Sequence, residues 1–305
     1  MSRKNEEDVD CLIVGGGPAG LIAAIYLARY RRRIAVIDGG NSRGALIPVS
    51  HNYPGFANGI SGPDLLKTLR SQVREFGVSI HNGHVTDLGR SDSGYVATLD
   101  ATRIRASRVL LATGIVDVTP EFPGLDRAVS DGAIRYCPVC DGYDVRGERV
   151  AVLGRTRKCF EKALFMRTYS RDVTMLDIGD PADAGSDAVS ALAAAGVRRP
   201  MEPVVRLERD GHRVSALFRG GHRETFDSIY PALGCNVRSE LGTRLGAQHN
   251  ASGCFKVDEH QRITVDGLYA AGDVVSDLHQ IAVATGHAAI AATHIHNSLP
   301  RNFAD

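Results

Sequence analysis

The stretch "DCLIVGGGPAGLIAAIYLARYRRRIAVIDGG", residues 10–40, decides the fold. Leu12–Val14 read as a short apolar strand. A turn with the pattern Gly15-x-Gly17-x-x-Gly20 follows. Pro18 suits the first turn of a helix, where its missing N–H is not needed. Leu21, Ile22, Ile25, Leu27 and Ala28 give that helix an apolar face. Ile34–Ile37 form a second strand, closed by Asp38. Strand, glycine turn, helix, strand and acid together make a βαβ dinucleotide-binding start.

The glycines have separate jobs. They permit a tight turn, let backbone approach a pyrophosphate, and let the helix close on the strand. The phosphate would lie at the helix N-terminus, where free N–H groups favour an anion. Gly15, Gly17, Pro18, Ala19 and Gly20 are thus the candidate phosphate cradle. Asp38 is placed to accept hydrogen bonds from a ribose. A purely structural glycine turn is the competing explanation, and the strand, helix and acid around it weigh against that.

Beyond residue 40 the chain is loop-like to residue 62, then helical over 63–76. Strands are expected near 78–88, 94–99 and 103–105, and "RVLLATG" (108–114) reads as a buried strand ending in a turn. Near residue 117 the design restarts. "RVAVLG" (149–154), a helix over 157–169 and "DVTMLD" (172–177) repeat the opening unit. Asp38 lies 23 residues after Gly15, and Asp177 lies 23 residues after Gly154. A helix over 181–195, strands near 203–208, 213–218 and 224–230, and a last helix over 279–297 complete the pattern. The expectation is an α/β protein with two Rossmann-like, three-layer (ββα-type) dinucleotide-binding domains, the second inserted in the first. Their bounds are 1–116 and 234–305 for the first and 117–233 for the second.

The chain has 305 residues and a net charge of +1. That balance gives no support for binding nucleic acid or an anionic membrane. The charged N-terminus is no secretory signal, and no apolar run reaches the length of a membrane helix; a cytoplasmic protein is expected. Of six cysteines only Cys137 and Cys140 are closely spaced. In a reducing compartment such a pair is catalytic or metal-binding more often than structural. A zinc site usually needs four ligands, and no second close pair exists. Two intervening residues let the sulfurs meet without backbone strain. A structural disulfide or half a metal site remains the alternative at this point. His287 and His294, seven apart on the last helix, share a face and read as packing residues at a dimer contact.

"GGGPAG", "HNYPGF" (51–56) with "GISG" (59–62), "ATG" (112–114), "CPVCDG" (137–142), "AAGD" (270–273) and "HQIAVATGHAAIAA" (279–292) follow one another in the order found in the low-molecular-weight thioredoxin reductases. The chain resembles that family over nearly its whole length. The resemblance implies an FAD-dependent dithiol/disulfide oxidoreductase and a homodimer. It implies Asn52 near the flavin, Val85 near the adenine, and Gln280 and Ile281 at the isoalloxazine. "LLATG" places Ala112, Thr113 and Gly114 in the flavin domain, and Gly272 and Asp273 at the ribityl chain. It assigns Cys140 to the flavin side, Cys137 to the exchange partner, and Asp141 to proton relay. A carboxyl in that role needs a raised pKa to work near neutrality. His51 and His279 stand where the family carries an acid and an Arg; each reads as a packed or solvated His.

The second turn is damaged. Thr156 stands in register with Gly17, and Cys159 with Gly20. The family holds the NADPH 2′-phosphate with a basic pair after the next strand. Here "LDIGDPADAG" (176–185) offers three Asp and no Arg. NADPH use is therefore unlikely on this reading. NADH is harder to exclude, because Asp177 could bind its ribose and Arg155, Arg157 and Lys158 could meet its pyrophosphate. Those three cations are otherwise a solvated face. The expected partner is a thioredoxin-like protein or a small dithiol or disulfide, with an electron-carrier protein as another source of electrons. Two rival functions stay open: a dithiol oxidase passing electrons to oxygen, and a flavin-bound redox sensor without turnover.

Overall fold

The computed structural model describes residues 6–100, 102–155, 157–178, 185–275 and 278–304. In chain order the elements are β1 (Glu6–Val14), α1 (Pro18–Arg29), β2 (Ile34–Asp38), α2 (Gly62–Glu75), β3 (Ser79–Asn82), β4 (Asp87–Ser91), β5 (Gly94–Leu99), β6 (Thr102–Leu111) and β7 (Ile115–Asp117). Then come α3 (Leu125–Ser130), α4 (Pro138–Asp141), β8 (Val150–Leu153), α5 (Arg157–Met166), β9 (Val173–Leu176), α6 (Ser186–Ala194), β10 (Val204–Asp210), β11 (Arg213–Phe218), β12 (Arg223–Phe226) and β13 (Ser228–Pro231). The chain closes with β14 (Cys235–Val237), α7 (Glu240–Arg244), β15 (Leu268–Ala270) and α8 (Ile281–Asn297).

The chain divides into two compact units. The first comprises residues 1–47, 60–116 and 236–305; the second comprises 48–59 and 117–235. The 48–59 loop therefore groups with the second unit, whereas the motif order alone draws residues 1–116 as one segment.

In the first unit the sheet order is β3-β2-β1-β6-β5-β4, with β15 also on β6. β1, β2, β3, β6 and β15 run parallel, and β5 and β4 are antiparallel additions. β1 is longer than its apolar stretch predicts, because its acidic start pairs with β6. Arg105 holds Glu6 at 2.9 Å and Asp8 at 3.0 Å across that ladder. β6 is one strand where the sequence suggests two. Its first half pairs with β5 and its last residues with β15, so its charged half and apolar half face different neighbours. Leu12, Val36, Ile104, Leu110 and Leu268 are fully buried in this core; each contributes about 1.5–3 kcal/mol.

In the second unit, β13-β8-β9 form a parallel sheet and β10-β11-β12 an antiparallel one. Val150–Leu153 and Val173–Leu176 are buried at every position, as expected for strands of a parallel sheet covered on both faces. Among the described residues no helix is long and apolar enough to cross a membrane.

Candidate functional site

The first-unit turn needs its glycines for reasons the backbone makes explicit. Gly15 has φ +121°, and a Cβ on it would lie 2.1 Å from the Ala112 carbonyl oxygen. A Cβ on Gly20 would lie 1.8 Å from the Gly15 carbonyl oxygen, so α1 can close on β1 only without one. Gly17 is the N-cap of α1, Pro18 occupies its first turn, and Ala19 is buried behind it. A Cβ on Gly16 would meet the Asp38 carboxylate at 2.2 Å, which sets that acid directly against the turn.

Asp38 is already partly engaged. Arg70, on α2, donates to Oδ2 at 2.8 and 3.2 Å, and the Gly40 N–H donates to Oδ1 at 2.9 Å. Each carboxylate oxygen carries two acceptor lone pairs, so room for a ribose hydroxyl remains. The Ala112 N–H donates to Val14, and the Arg238 N–H to Gly114, whose φ is +67°. The Thr113 hydroxyl donates to the Arg238 carbonyl. Gly272 has φ +81°, and Asp273 beside it pairs with Arg43 at 3.5 Å. Gln280 is the N-cap of α8 and Ile281 its first residue. Val85 is half-buried against the sheet core just after β3. Sequence reading missed Arg43 and Arg70, since neither stands in a motif.

In the second unit Cys137 and Cys140 are bonded as a disulfide, with Cα atoms 5.3 Å apart. Cys137 caps the single turn α4, and its Sγ accepts the Cys140 N–H at 3.2 Å. Two residues of the 48–59 loop hold this segment. Asn52 Nδ2 donates to the Val139 carbonyl at 3.1 Å, inside the Cys pair, and His51 Nδ1 lies 3.0 Å from Asp144 Oδ2. His51 is thus neither packed in a core nor simply solvated; it has an acidic partner.

Asp141 ends α4 with little of its side chain exposed. Arg135 Nη1 donates to Oδ2 at 3.1 Å, and the Tyr230 hydroxyl donates to Oδ1 at 2.9 Å. Burial raises the pKa of Asp141, opposed by the Arg135 charge and the Tyr230 hydrogen bond. The shift is in the direction that a proton-relaying carboxyl needs. Arg135 and Tyr230 were not foreseen; they stand 6 and 89 residues from Asp141.

The second turn departs from the first. Gly154 is not among the glycines with positive φ. Cys159 is fully buried on α5, in the place where the first turn tolerates only Gly20. Here the Cys159 Cβ is accommodated, 3.2 Å from where a Gly154 Cβ would sit. Thr156 lies outside the described residues, as do Asp180 and Asp183. Asp177 follows β9 and is fully buried. It does have an Arg beside it: Arg199 Nε donates to its Oδ2 at 2.8 Å, and the guanidinium lies 5.0 Å over the Phe160 ring. The reading of an acid without a counter-charge is corrected by this pair. Oδ1 of Asp177 is buried without a hydrogen-bond partner.

On the last helix, His294 Nδ1 lies 2.9 Å from the Tyr269 hydroxyl, and its ring stacks on His260 at 4.3 Å. His294 is therefore packed within its own unit. No cluster of three or more metal-binding side chains occurs among the described residues.

The pyridine nucleotide-disulphide oxidoreductase family model matches residues 9–288. The thioredoxin reductase of Treponema pallidum is 31% identical over 301 residues, covering 94% of this chain and 96% of that protein. The chain is a pyridine nucleotide-disulphide oxidoreductase of the low-molecular-weight thioredoxin reductase type. Solved structures agree. Thioredoxin reductase from Streptococcus pyogenes superposes with a TM-score of 0.87 at 27% identity, covering 95% of this chain and 97% of that one. The crystal structure of HlmI gives 0.88 at 27% identity, covering 95% and 92%.

Thioredoxin reductase-type chains are FAD-dependent disulfide oxidoreductases, and the first unit fits that cofactor. At Gly17, the N-cap of α1, a Cβ would meet nothing nearer than Ser42 Oγ at 3.1 Å, so the backbone there is open to close approach. The first unit therefore offers close backbone approach at the turn, an acid for a ribose, and Gly272–Asp273 just after β15, the strand that pairs with β6.

Proposed function

We propose that this thioredoxin reductase-type enzyme exchanges electrons between FAD and the Cys137–Cys140 pair, and between that pair and a thioredoxin-like protein or small dithiol, without using NADPH. FAD, when bound, supplies a two-electron carrier. Gly15, Gly17, Pro18, Ala19, Gly20 and Asp38 hold its diphosphate and ribose. Ala112, Thr113, Gly114, Gly272 and Asp273 would line the same site in the first unit, with Val85 near the adenine and Gln280 and Ile281 near the flavin; family resemblance adds Asn52 as a flavin-contacting residue. On this proposal residues 1–116 and 234–305 form the flavin domain, 117–233 carry the dithiol, and two chains form a homodimer.

The observation that carries the reading is the disulfide itself, with a mostly buried acid at the end of its turn. A partner thiolate attacks Cys137 Sγ, and the Cys137–Cys140 bond breaks. Cys140 leaves as thiolate and takes the Asp141 proton. The partner's second thiol, deprotonated by Asp141, then attacks the mixed disulfide. It releases Cys137 and the partner's disulfide. Oxidation of the pair's dithiol by a partner disulfide is the same path reversed.

Two features support the absence of NADPH use. Cys159 puts a buried side chain where a dinucleotide turn has the glycine that lets the helix close on the strand. The cation nearest Asp177 is already committed to that acid, so a 2′-phosphate would have to displace a buried ion pair. The test is capture. Cys140→Ser leaves Cys137 free, and it should displace thionitrobenzoate from an activated thioredoxin and remain joined to it. Cys137→Ser should form no such adduct. An adduct that depends on Cys140 instead would reverse the assignment, and none with either variant would refute the exchange.

A further inference from the structure

Asp141 is held from two sides by adjacent stretches of backbone. Ile134 bridges Ile229 in parallel register. The Ile229 N–H donates to Ala133, and the Arg135 N–H donates to Ile229, both at 2.9 Å. The next residues along the two stretches, Arg135 and Tyr230, therefore emerge side by side, and both reach the same carboxyl. Arg135 is anchored a second time, Nε donating to the Gly132 carbonyl at 2.8 Å. Tyr230 is fully buried, so its hydroxyl must find a partner, and the partner is Asp141 Oδ1. Both carboxyl oxygens are thus engaged, and the group cannot swing without leaving a buried polar atom unpaired.

We propose that Arg135 and Tyr230 are positioning residues for Asp141: they fix the orientation of its carboxyl and set the pH range in which it gives its proton to the sulfur leaving the Cys137–Cys140 bond. This rests on the exchange reading above. Proton and electron balance are those of the dithiol reaction. Two electrons pass from the dithiol into the Cys pair. One proton moves from Asp141 to Cys140, and the dithiol's second thiol restores it to Asp141. The first thiol loses its proton to water, and Cys137 takes one from water on release.

Several charges face the site. Arg135 stabilises the ionised carboxyl, and Asp144 beside it opposes ionisation. The Glu148 charge also acts on Tyr230, against ionisation of its hydroxyl. Lys162, on α5, donates to the Tyr136 and Pro231 carbonyls at 3.1 and 2.8 Å, next in sequence to Arg135 and Tyr230. Burial favours the protonated acid, while Arg135 and Tyr230 favour the carboxylate. Removing either partner must therefore raise the pH at which Asp141 loses its proton.

The experiment follows opening of the disulfide in the FAD-loaded protein by dithiothreitol, counting released thiols by alkylation and mass. The rate is divided by the thiolate fraction of the reagent at each pH. In the wild type this corrected rate falls as pH rises through the titration of Asp141. In Tyr230→Phe and Arg135→Gln the fall should move upward by about one pH unit, a tenfold change in proton affinity. Arg135→Lys should restore most of the wild-type profile, and Asp141→Asn should flatten it. A fall at the wild-type pH in both Tyr230→Phe and Arg135→Gln overturns the inference, as does a flat wild-type profile; either leaves the exchange reading standing. A disulfide that dithiothreitol opens at no pH refutes the exchange reading itself. Tyr230→Phe keeps the buried ring, so a folding defect in Arg135→Gln does not remove the test.

Discussion

Arg199 Nε donates to Asp177 Oδ2 at 2.8 Å, and the carboxylate is wholly buried. Asp177 holds the position in the second unit that Asp38 holds in the first, and each is met by an Arg from later in the chain. The difference is burial on the cation side: Arg199 packs against Phe160. Breaking a buried pair by removing one partner costs about 3–5 kcal/mol, because the other charge is stranded. Arg199→Met should therefore lower stability to urea by that order. The double variant Arg199→Met, Asp177→Asn should recover much of it. A single variant as stable as the wild type would contradict the ion pair.

That pair also shows where sequence reading stops. The glycine fingerprint was legible because its logic is local: Gly15, Gly20 and Asp38 act on residues fixed by one βαβ unit. The repeat in the second unit was legible for the same reason. Arg199 was not, because it comes 22 residues after Asp177 and is brought back beside β9 by long-range pairing such as the bridge between Thr174 and Arg198. A search for basic residues directly after the strand could not find it. Tyr230 reaches Asp141 across 89 residues, by strand pairing that no spacing rule encodes. The grouping of the 48–59 loop with the dithiol unit, where Asn52 meets Val139 and His51 meets Asp144, was equally hidden.

Thiol reactivity should divide by burial. Burial, chiefly, with Asp177 nearby, pushes the Cys159 thiol up to about 12, and burial also raises Cys11. A raised thiol pKa means the neutral form persists at pH 8, and thiolate appears only as pH nears the shifted value. Only the thiolate reacts readily. After reduction, iodoacetamide at pH 8 should label Cys137 and Cys140 in the native protein and spare Cys11 and Cys159 until it is unfolded. Early labelling of Cys159 would show that the closure between α5 and β8 is open.

Gly20→Ala should disrupt the first unit more than its small volume suggests. Its Cβ would stand 1.8 Å from the Gly15 carbonyl oxygen, so α1 must retreat from β1. Such overpacking typically costs about 1–3 kcal/mol. FAD content per chain, measured by absorbance after purification, should drop sharply. Full retention of FAD would contradict the role given to this turn.

The two cysteines should be distinguishable by colour. Cys137→Ser should give a long-wavelength charge-transfer band at raised pH, from a Cys140 thiolate against the flavin. Cys140→Ser should not. A band that follows Cys137 would invert their roles.

The central claim is tested most directly by anaerobic mixing of the FAD-loaded protein with each electron donor while flavin absorbance is followed. A small dithiol should bleach the flavin, and both Cys137→Ser and Cys140→Ser should abolish this. NADPH should not bleach it at a useful rate, and neither should NADH, with the larger deficit for NADPH. Rapid bleaching by NADH at micromolar concentration would mean that Asp177 and the Arg155, Arg157, Lys158 cluster rebuild a nucleotide site by another geometry. Rapid bleaching by NADPH would contradict the account of the second turn outright.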